Sequence, residues 1–333
     1  AILGVLSVYL IYLLGRRLFS KKAGLWAAAV YAVTLNGVYI SRAGLQEPYV
    51  IFFFLLASYF FLKALDDKKY FWMLGAAIGL GALAKYNFFI VIPIFLTYLI
   101  LFRRQIFWLK EFWLGLLAAV LIFSPVIIYN IELYRSAGHF DFQLSYLLGQ
   151  DHPEWQIQPG KDIGSLPERL KNFIPRLVAS NSWVFLSLVL ISALFFVYKF
   201  IGEKKEKLPE KTFLALWLAF VLLLILLIGP SYRFLAMLTP FLALAAGFFL
   251  KELVEKINPP KFYFVKLRRV KYFGVIGLII FLGFEIFYSY NNQIAYYPVG
   301  PTPWLSSKVR YENYNWGYNE LGQWLENELR GKM

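Results

Sequence analysis

Lys85, Arg233 and Glu47 are the residues in this 333-residue chain whose types and positions could do chemistry on an anionic substrate. The charge-free stretch 70–84 ends at Lys85, and at 1.5 Å per residue it spans only about 22 Å. The stretch 234–250 spans about 25 Å and has Arg233 at its other end. Both stretches fall short of a hydrocarbon core of ~30 Å, so both cations are expected below the far surface. An ionisable group at that depth costs about 2.5–3.5 kcal/mol, and such groups tend to face cavities or partners. Arg offers a bidentate fork and Lys a point charge, a combination suited to a phosphate. The alternative is that each side chain snorkels separately to outer headgroups.

Glu47 lies in Ser41-Arg-Ala-Gly-Leu-Gln-Glu-Pro48, where Pro48 suits the first turn of a helix. The carboxylate either complements that helix end or pairs with Arg42, or it lines the floor of an outward cavity. His139, Asp141, Asp151, His152 and Glu154 crowd one loop. A divalent metal ion would need such residue types, and His139 and Asp141 are the candidate ligands. No fixed ligand spacing is present, however, and a solvated polar loop is the competing account. Asn130 follows Pro125 on one helix and is expected to cap carbonyls freed by the proline. Glu285 lies inside the outer end of the last helix, where a headgroup, a nearby Lys or a catalytic role are all open.

The elements that must position these groups are membrane helices. Hydrophobic residues make up 59% of the chain and charged ones 16%, which excludes soluble enzyme folds. Ten charge-free stretches run over 1–15, 23–41, 48–62, 70–84, 86–102, 112–131, 177–198, 212–232, 234–250 and 272–284. They predict an all-α polytopic membrane protein with about ten transmembrane helices in a core over 1–290. Alternating them in and out places 22 basic and 8 acidic residues on one side, and 12 of each on the other. The net charge of +14 is therefore a topology signal that marks the cytoplasmic face of a cell membrane, and nucleic acid is not needed to explain it. The absence of cysteine excludes disulfides, thiolate metal sites and a cysteine nucleophile.

This orientation starts Ala1–Gly15 on the outside, so an upstream helix or a cleaved signal is expected before residue 1. Two long outside segments follow, 132–176 and 291–333. Ser165-Leu-Pro-Glu168 has capping-box spacing, and Leu166, Leu170, Phe173, Ile174 and Leu177 then share one helical face. They predict a helix lying in the membrane interface. The C-terminal segment opens with the Tyr/Pro/Trp-rich loop 296–304. It ends with an amphipathic helix near 317–330, whose apolar face is Leu321, Trp324, Leu325 and Leu329.

The order of Gly15-Arg-Arg-Leu-Phe19, Ser41-Arg42 with Glu47, Gly79-Leu-Gly-Ala-Leu-Ala-Lys-Tyr86, Ser124-Pro125 to Asn130, and Tyr232-Arg-Phe-Leu-Ala-Met-Leu-Thr-Pro240 resembles the GT-C membrane glycosyltransferases over about residues 1–250. Protein O-mannosyltransferases and lipid A aminoarabinose transferases are the nearest in look. The resemblance implies inverting transfer of a sugar from a polyprenyl-phosphate donor to a protein, glycolipid or cell-envelope acceptor on the outer face of the bilayer. It implies that Lys85 binds the lipid phosphate, that Arg233 shares the task, and that Glu47 is a second acidic position arranging acceptor or metal. Arg42, Tyr86 and Asn130 complete the expected substrate-binding set. The family's principal acidic motif lies in its first external loop, so the main base is expected upstream of residue 1. A lipid-linked saccharide flippase or transporter, or a membrane scaffold, are the rival readings. Inverted repeats or paired broken helices would mark a transporter, and the sequence shows neither.

Overall fold

The computed structural model describes residues 1–42, 44–150, 164–202, 208–257, 266–295, 299–307, 309 and 318–330. Among these, the elements are helices: α1 (Ile2–Leu18), α2 (Lys21–Val33), α3 (Leu35–Arg42), α4 (Glu47–Ala64), α5 (Phe71–Ala84), α6 (Val91–Phe102), α7 (Lys110–Ala137), α8 (Phe142–Leu147), α9 (Leu166–Ala179), α10 (Trp183–Ile201), α11 (Leu208–Ile228), α12 (Tyr232–Leu235), α13 (Thr239–Ile257), α14 (Lys266–Gln293) and α15 (Tyr318–Leu329). Short 3-10 turns precede α5, α6 and α7.

All ten apolar stretches fall on helical segments, but the expected ten spans reduce to fewer by length and composition. Five runs among the described residues are long and apolar enough to cross a bilayer: α4, α7, α10, α11 and Tyr232–Glu255. A sixth arises if α2 and α3, bent by 63° at their junction, act as one span. The shortfall is physical. α5 has 14 residues and α6 has 12, while α14 mixes its apolar run with Lys266, Arg268, Arg269 and Lys271 at one end and Glu285 further along.

Close approach of backbones at small residues joins several of these helices. A Cβ built on Gly75 of α5 would stand 1.9 Å from the Gly115 carbonyl oxygen of α7, and one on Gly115 would stand 2.5 Å from the Phe71 carbonyl oxygen. Gly247 of α13 meets α2 in the same way, 2.5 Å from both Ala23 O and Ala27 N. Lipid tails give no hydrophobic drive between helices, so such seams rest on van der Waals packing that glycine allows. Gly75→Ala is therefore expected to lower stability by about 1–3 kcal/mol through a backbone clash. Gly277→Ala, whose Cβ would meet nothing within 4 Å, is expected to leave the melting temperature unchanged or slightly raised. Thermal unfolding in detergent checks the contrast.

An aromatic core lies between α4, α6, α11 and α13. Phe61 stacks on Phe95 with centroids 4.3 Å apart, and fully buried Trp217 stacks on Phe241 at 4.4 Å. Helix α9 forms with the capping box its spacing predicts: Glu168 Oε2 accepts from the Ser165 N–H at 2.6 Å and from its hydroxyl at 2.8 Å. Its apolar face divides. Phe173 and Leu177 pack on the core, while Leu166, Leu170 and Ile174 are exposed. Arg169 donates to the carbonyls of Leu226 and Leu227, and Arg176 to that of Pro230, so α9 satisfies the open end of α11. In α15 the stripe Leu321, Trp324, Leu325 and Leu329 is exposed. Residues 296–298 of the aromatic loop lie outside the described residues.

Candidate functional site

The site is built on a break between α5 and α6. The Gly-rich run ends when Lys85 takes an extended backbone (φ −171°, ψ 140°) as its N–H still reaches Gly81 O at 3.3 Å. Phe88 then folds back onto Gly81, where an added Cβ would lie 2.4 Å from the ring. Gly81 leaves room for a fully buried phenylalanine. That packing holds the break open and points Lys85 out of the helical run.

Lys85 Nζ donates to Glu47 Oε1 at 2.7 Å, and the two side chains are 14% and 2% exposed. Glu47 stands in the first turn of α4 beside Pro48, where a carboxylate is also favoured by the helix dipole. The structure thus answers the question of its partner: Glu47 pairs with Lys85, and Arg42 is exposed with no ion pair among the described residues.

Arg233 approaches from the other half of the chain. Gly229, with φ of +88°, and Pro230 end α11, and Ser231 caps the one-turn α12 by accepting from the Phe234 N–H at 3.3 Å. This turn brings the Phe234 ring near both cations: Lys85 Nζ lies 4.9 Å from its centroid and the Arg233 guanidinium carbon 5.8 Å. Arg233 is half-buried and has no carboxylate partner among the described residues. Lys85, paired with Glu47, and Arg233 thus approach one aromatic ring from separate parts of the sequence. Phe234 is a part of this arrangement that charge spacing alone had no means to reveal.

Beside Lys85, a second cluster ties the loop that follows α7 to the helices. The Tyr86 hydroxyl donates to Asp141 Oδ2, and Asn130 Nδ2 donates to the same oxygen at 2.8 Å. Asn130 Oδ1 accepts from the Asp141 N–H at 2.8 Å. Asp141 Oδ1 accepts from the N–H groups of Gln143 and Leu144 at 3.0 and 2.9 Å, which caps α8. The expected capping by Asn130 is therefore revised. The carbonyl left open by Pro125 belongs to Leu121 and is taken by the Ser124 hydroxyl at 2.7 Å, while Asn130 takes Val126 O and reaches across to Tyr86 and Asp141.

Among the described residues this loop presents no divalent-metal ligand set. Asp141 has both oxygens engaged, His139 Nδ1 lies 2.7 Å from Phe140 O, and no three His, Asp or Glu among the described residues group as metal ligands. Asp151, His152 and Glu154 lie outside the described residues.

Burial pushes the Asp141 carboxyl up, but hydrogen bonds from Tyr86, the Leu144 N–H, Asn130 and the Gln143 N–H outweigh it and hold the group below the usual carboxylate range. A depressed folded-state value contributes stability that is complete above the unfolded value and is lost as the pH falls through the folded one. The tether is thus expected to loosen below about pH 4. Amide hydrogen exchange over 138–150 should rise there in the native chain. In Asp141→Asn it should already be about 5- to 30-fold faster at neutral pH, without that acid step.

Residues 1–129 match the model of the dolichyl-phosphate-mannose-protein mannosyltransferase family, a region that holds Arg42, Glu47, Lys85 and Tyr86. YkcB of Bacillus subtilis (strain 168), a protein provisionally named a mannosyltransferase, is 33% identical over 139 residues. That match covers 39% of this chain and 19% of the relative, so the chain spans about a fifth of the relative's length. The apo crystal structure of the Archaeoglobus fulgidus oligosaccharyltransferase is similar in fold, with a TM-score of 0.58 and 16% identity over 91% of this chain and 45% of that one. The same archaeal enzyme in complex with an inhibitory peptide and a dolichol-phosphate has a TM-score of 0.57 and 15% identity, with the same coverage.

Proposed function

From its place among the GT-C membrane glycosyltransferases, we propose that the chain carries the donor-phosphate site of an enzyme that moves a sugar from a polyprenyl-phosphate carrier to an acceptor on the extracytoplasmic face of the cell membrane. The acceptor class is a protein, a glycolipid or a cell-envelope polymer, and the transfer is inverting. The single observation that supports this most is the approach of Lys85 and Arg233 to one phenylalanine ring from distant parts of the sequence.

In this reading the bilayer holds the carrier's hydrocarbon tail, and the two cations hold its phosphate. As the bond between sugar and phosphate breaks, charge grows on the departing phosphate oxygen. Donors already fixed in place stabilise that charge without reorganising, which is the largest kind of electrostatic contribution to a transfer reaction. Glu47 holds the Lys85 ammonium in place through their 2.7 Å ion pair. Tyr86, Asn130 and Asp141 position the loop that follows α7 over the same region. In this reading the membrane core covers 1–290 and an extracytoplasmic segment 291–333, and the sidedness of charge in the sequence supports a site on the outer face.

Transfer in proteoliposomes tests the reading, with labelled polyprenyl-phosphate mannose and pentose donors and an extract of envelope acceptors. Label is expected to appear in acceptor with the natural full-length protein and to fall at least about 100-fold in its Arg233→Ala variant. Donor consumption that Arg233→Ala leaves unchanged would contradict it.

A further inference from the structure

The chain buries a second carboxylate that the proposed transfer does not use. Glu285 of α14 is 0% exposed. Its Oε1 accepts from the Ser182 hydroxyl, which caps α10 by accepting from the Phe185 N–H at 2.9 Å. Glu285 thus stands at the N-terminal end of a 19-residue helix. Its other oxygen, Oε2, is buried and has no hydrogen-bond partner.

Two more unpartnered acceptors belong to the same junction. Asn181 Nδ2 donates to Leu177 O at 3.0 Å and to Ser180 Oγ at 3.1 Å, and Asn36 Nδ2 of α3 reaches that same Oγ at 3.5 Å. Ser180 gives its own proton to Leu177 O at 3.1 Å, so its oxygen can only accept. Both amides turn their nitrogens to it, and Oδ1 of each is buried without a donor. Asn36 is 0% exposed and Asn181 2%. Three acceptor oxygens are thus left unmet around the connector Ser180-Asn181-Ser182.

A proton on Glu285 would satisfy one of the three and leave two amide oxygens unmet, each at a cost of about 1–3 kcal/mol. A cation satisfies all of them and cancels the buried charge. One carboxylate balances one positive charge, and an oxygen-only ligand set suits a hard ion. We propose that Glu285, Asn181 and Asn36 hold a monovalent alkali cation at the junction of α3, the α9–α10 connector and α14. The surrounding contacts close the junction: Ser289 Oγ donates to Val33 O at 2.6 Å, beside the α2–α3 bend, and Ser307 Oγ donates to Ala179 O at 2.6 Å. The bound ion fastens the loop 299–307 and the bent pair to the same point.

Thermal unfolding of the detergent-solubilised full chain, at one ionic strength in sodium, potassium or choline chloride, tests this directly. Sodium or potassium is expected to raise the Tm above that in choline by about 3 °C, with a saturable dependence on concentration. Glu285→Gln, which keeps the shape and removes the charge, is expected to lose the response. Equal Tm values for the native chain in all three salts would overturn the proposal in favour of a protonated or water-bridged carboxyl. So would an undiminished response in Glu285→Gln. If that variant does not fold, the native salt titration decides alone, with Asn36→Leu as the second variant expected to lose the response.

Discussion

Lys85→Met is expected to abolish measurable binding of a polyprenyl monophosphate and to destabilise the protein at the same time. The two losses have different origins and can be separated. Breaking a buried ion pair from one side leaves the other charge uncompensated, at a cost of about 3–5 kcal/mol. Glu47, 2% exposed, is that stranded charge. Adding Glu47→Gln to Lys85→Met removes it, so the double variant should recover most of the lost Tm. Phosphate affinity should not recover, because the cation is still missing. Recovery of both together would mean that Lys85 serves the fold alone.

Arg233→Ala is expected to produce the opposite pattern, a large loss of affinity with little loss of stability. The guanidinium is half-buried over Phe234 and has no carboxylate to strand among the described residues. A charge-assisted hydrogen bond is worth about 1.5–3 kcal/mol, so affinity for the phosphate should fall about 10- to 100-fold, and more if the contact is bidentate. Arg233→Lys should recover only part of this, since a point charge cannot make the fork. Isothermal titration or a thermal-shift series with the lipid phosphate reads both variants.

Much of the fold is legible in the sequence because the bilayer permits few solutions: apolar stretches become helices, and basic loops mark a side. The count of spans was less so. The charge-free run 23–41 is continuous in sequence but breaks at Thr34, and 70–84 and 86–102 fold into helices too short to cross alone. Lys85 and Arg233 stand out in the sequence by their expected depth, since a recessed cation needs a reason. Their common ring was not, because the approach of Phe234 depends on how α12 is set by Gly229, Pro230 and Ser231. The Glu47–Lys85 pair was hidden for a related cause: Arg42 is nearer in sequence, and only packing of α4 on α5 decides between them. Asp141 drew attention as a metal ligand because acidic and histidine residues crowd its loop. Its actual bonds to Tyr86 and Asn130 join groups that no local spacing connects.

The central claim is that Lys85 and Arg233 form one phosphate site, and a binding titration comparing a short polyprenyl monophosphate with the matching polyprenol tests it most directly. The native chain should bind the phosphate at least about 100-fold more tightly than the alcohol. Arg233→Ala should remove most of that preference and leave the weak affinity for the alcohol as it was. Equal affinity for phosphate and alcohol in the native chain, or a preference that survives in Arg233→Ala, would contradict the account.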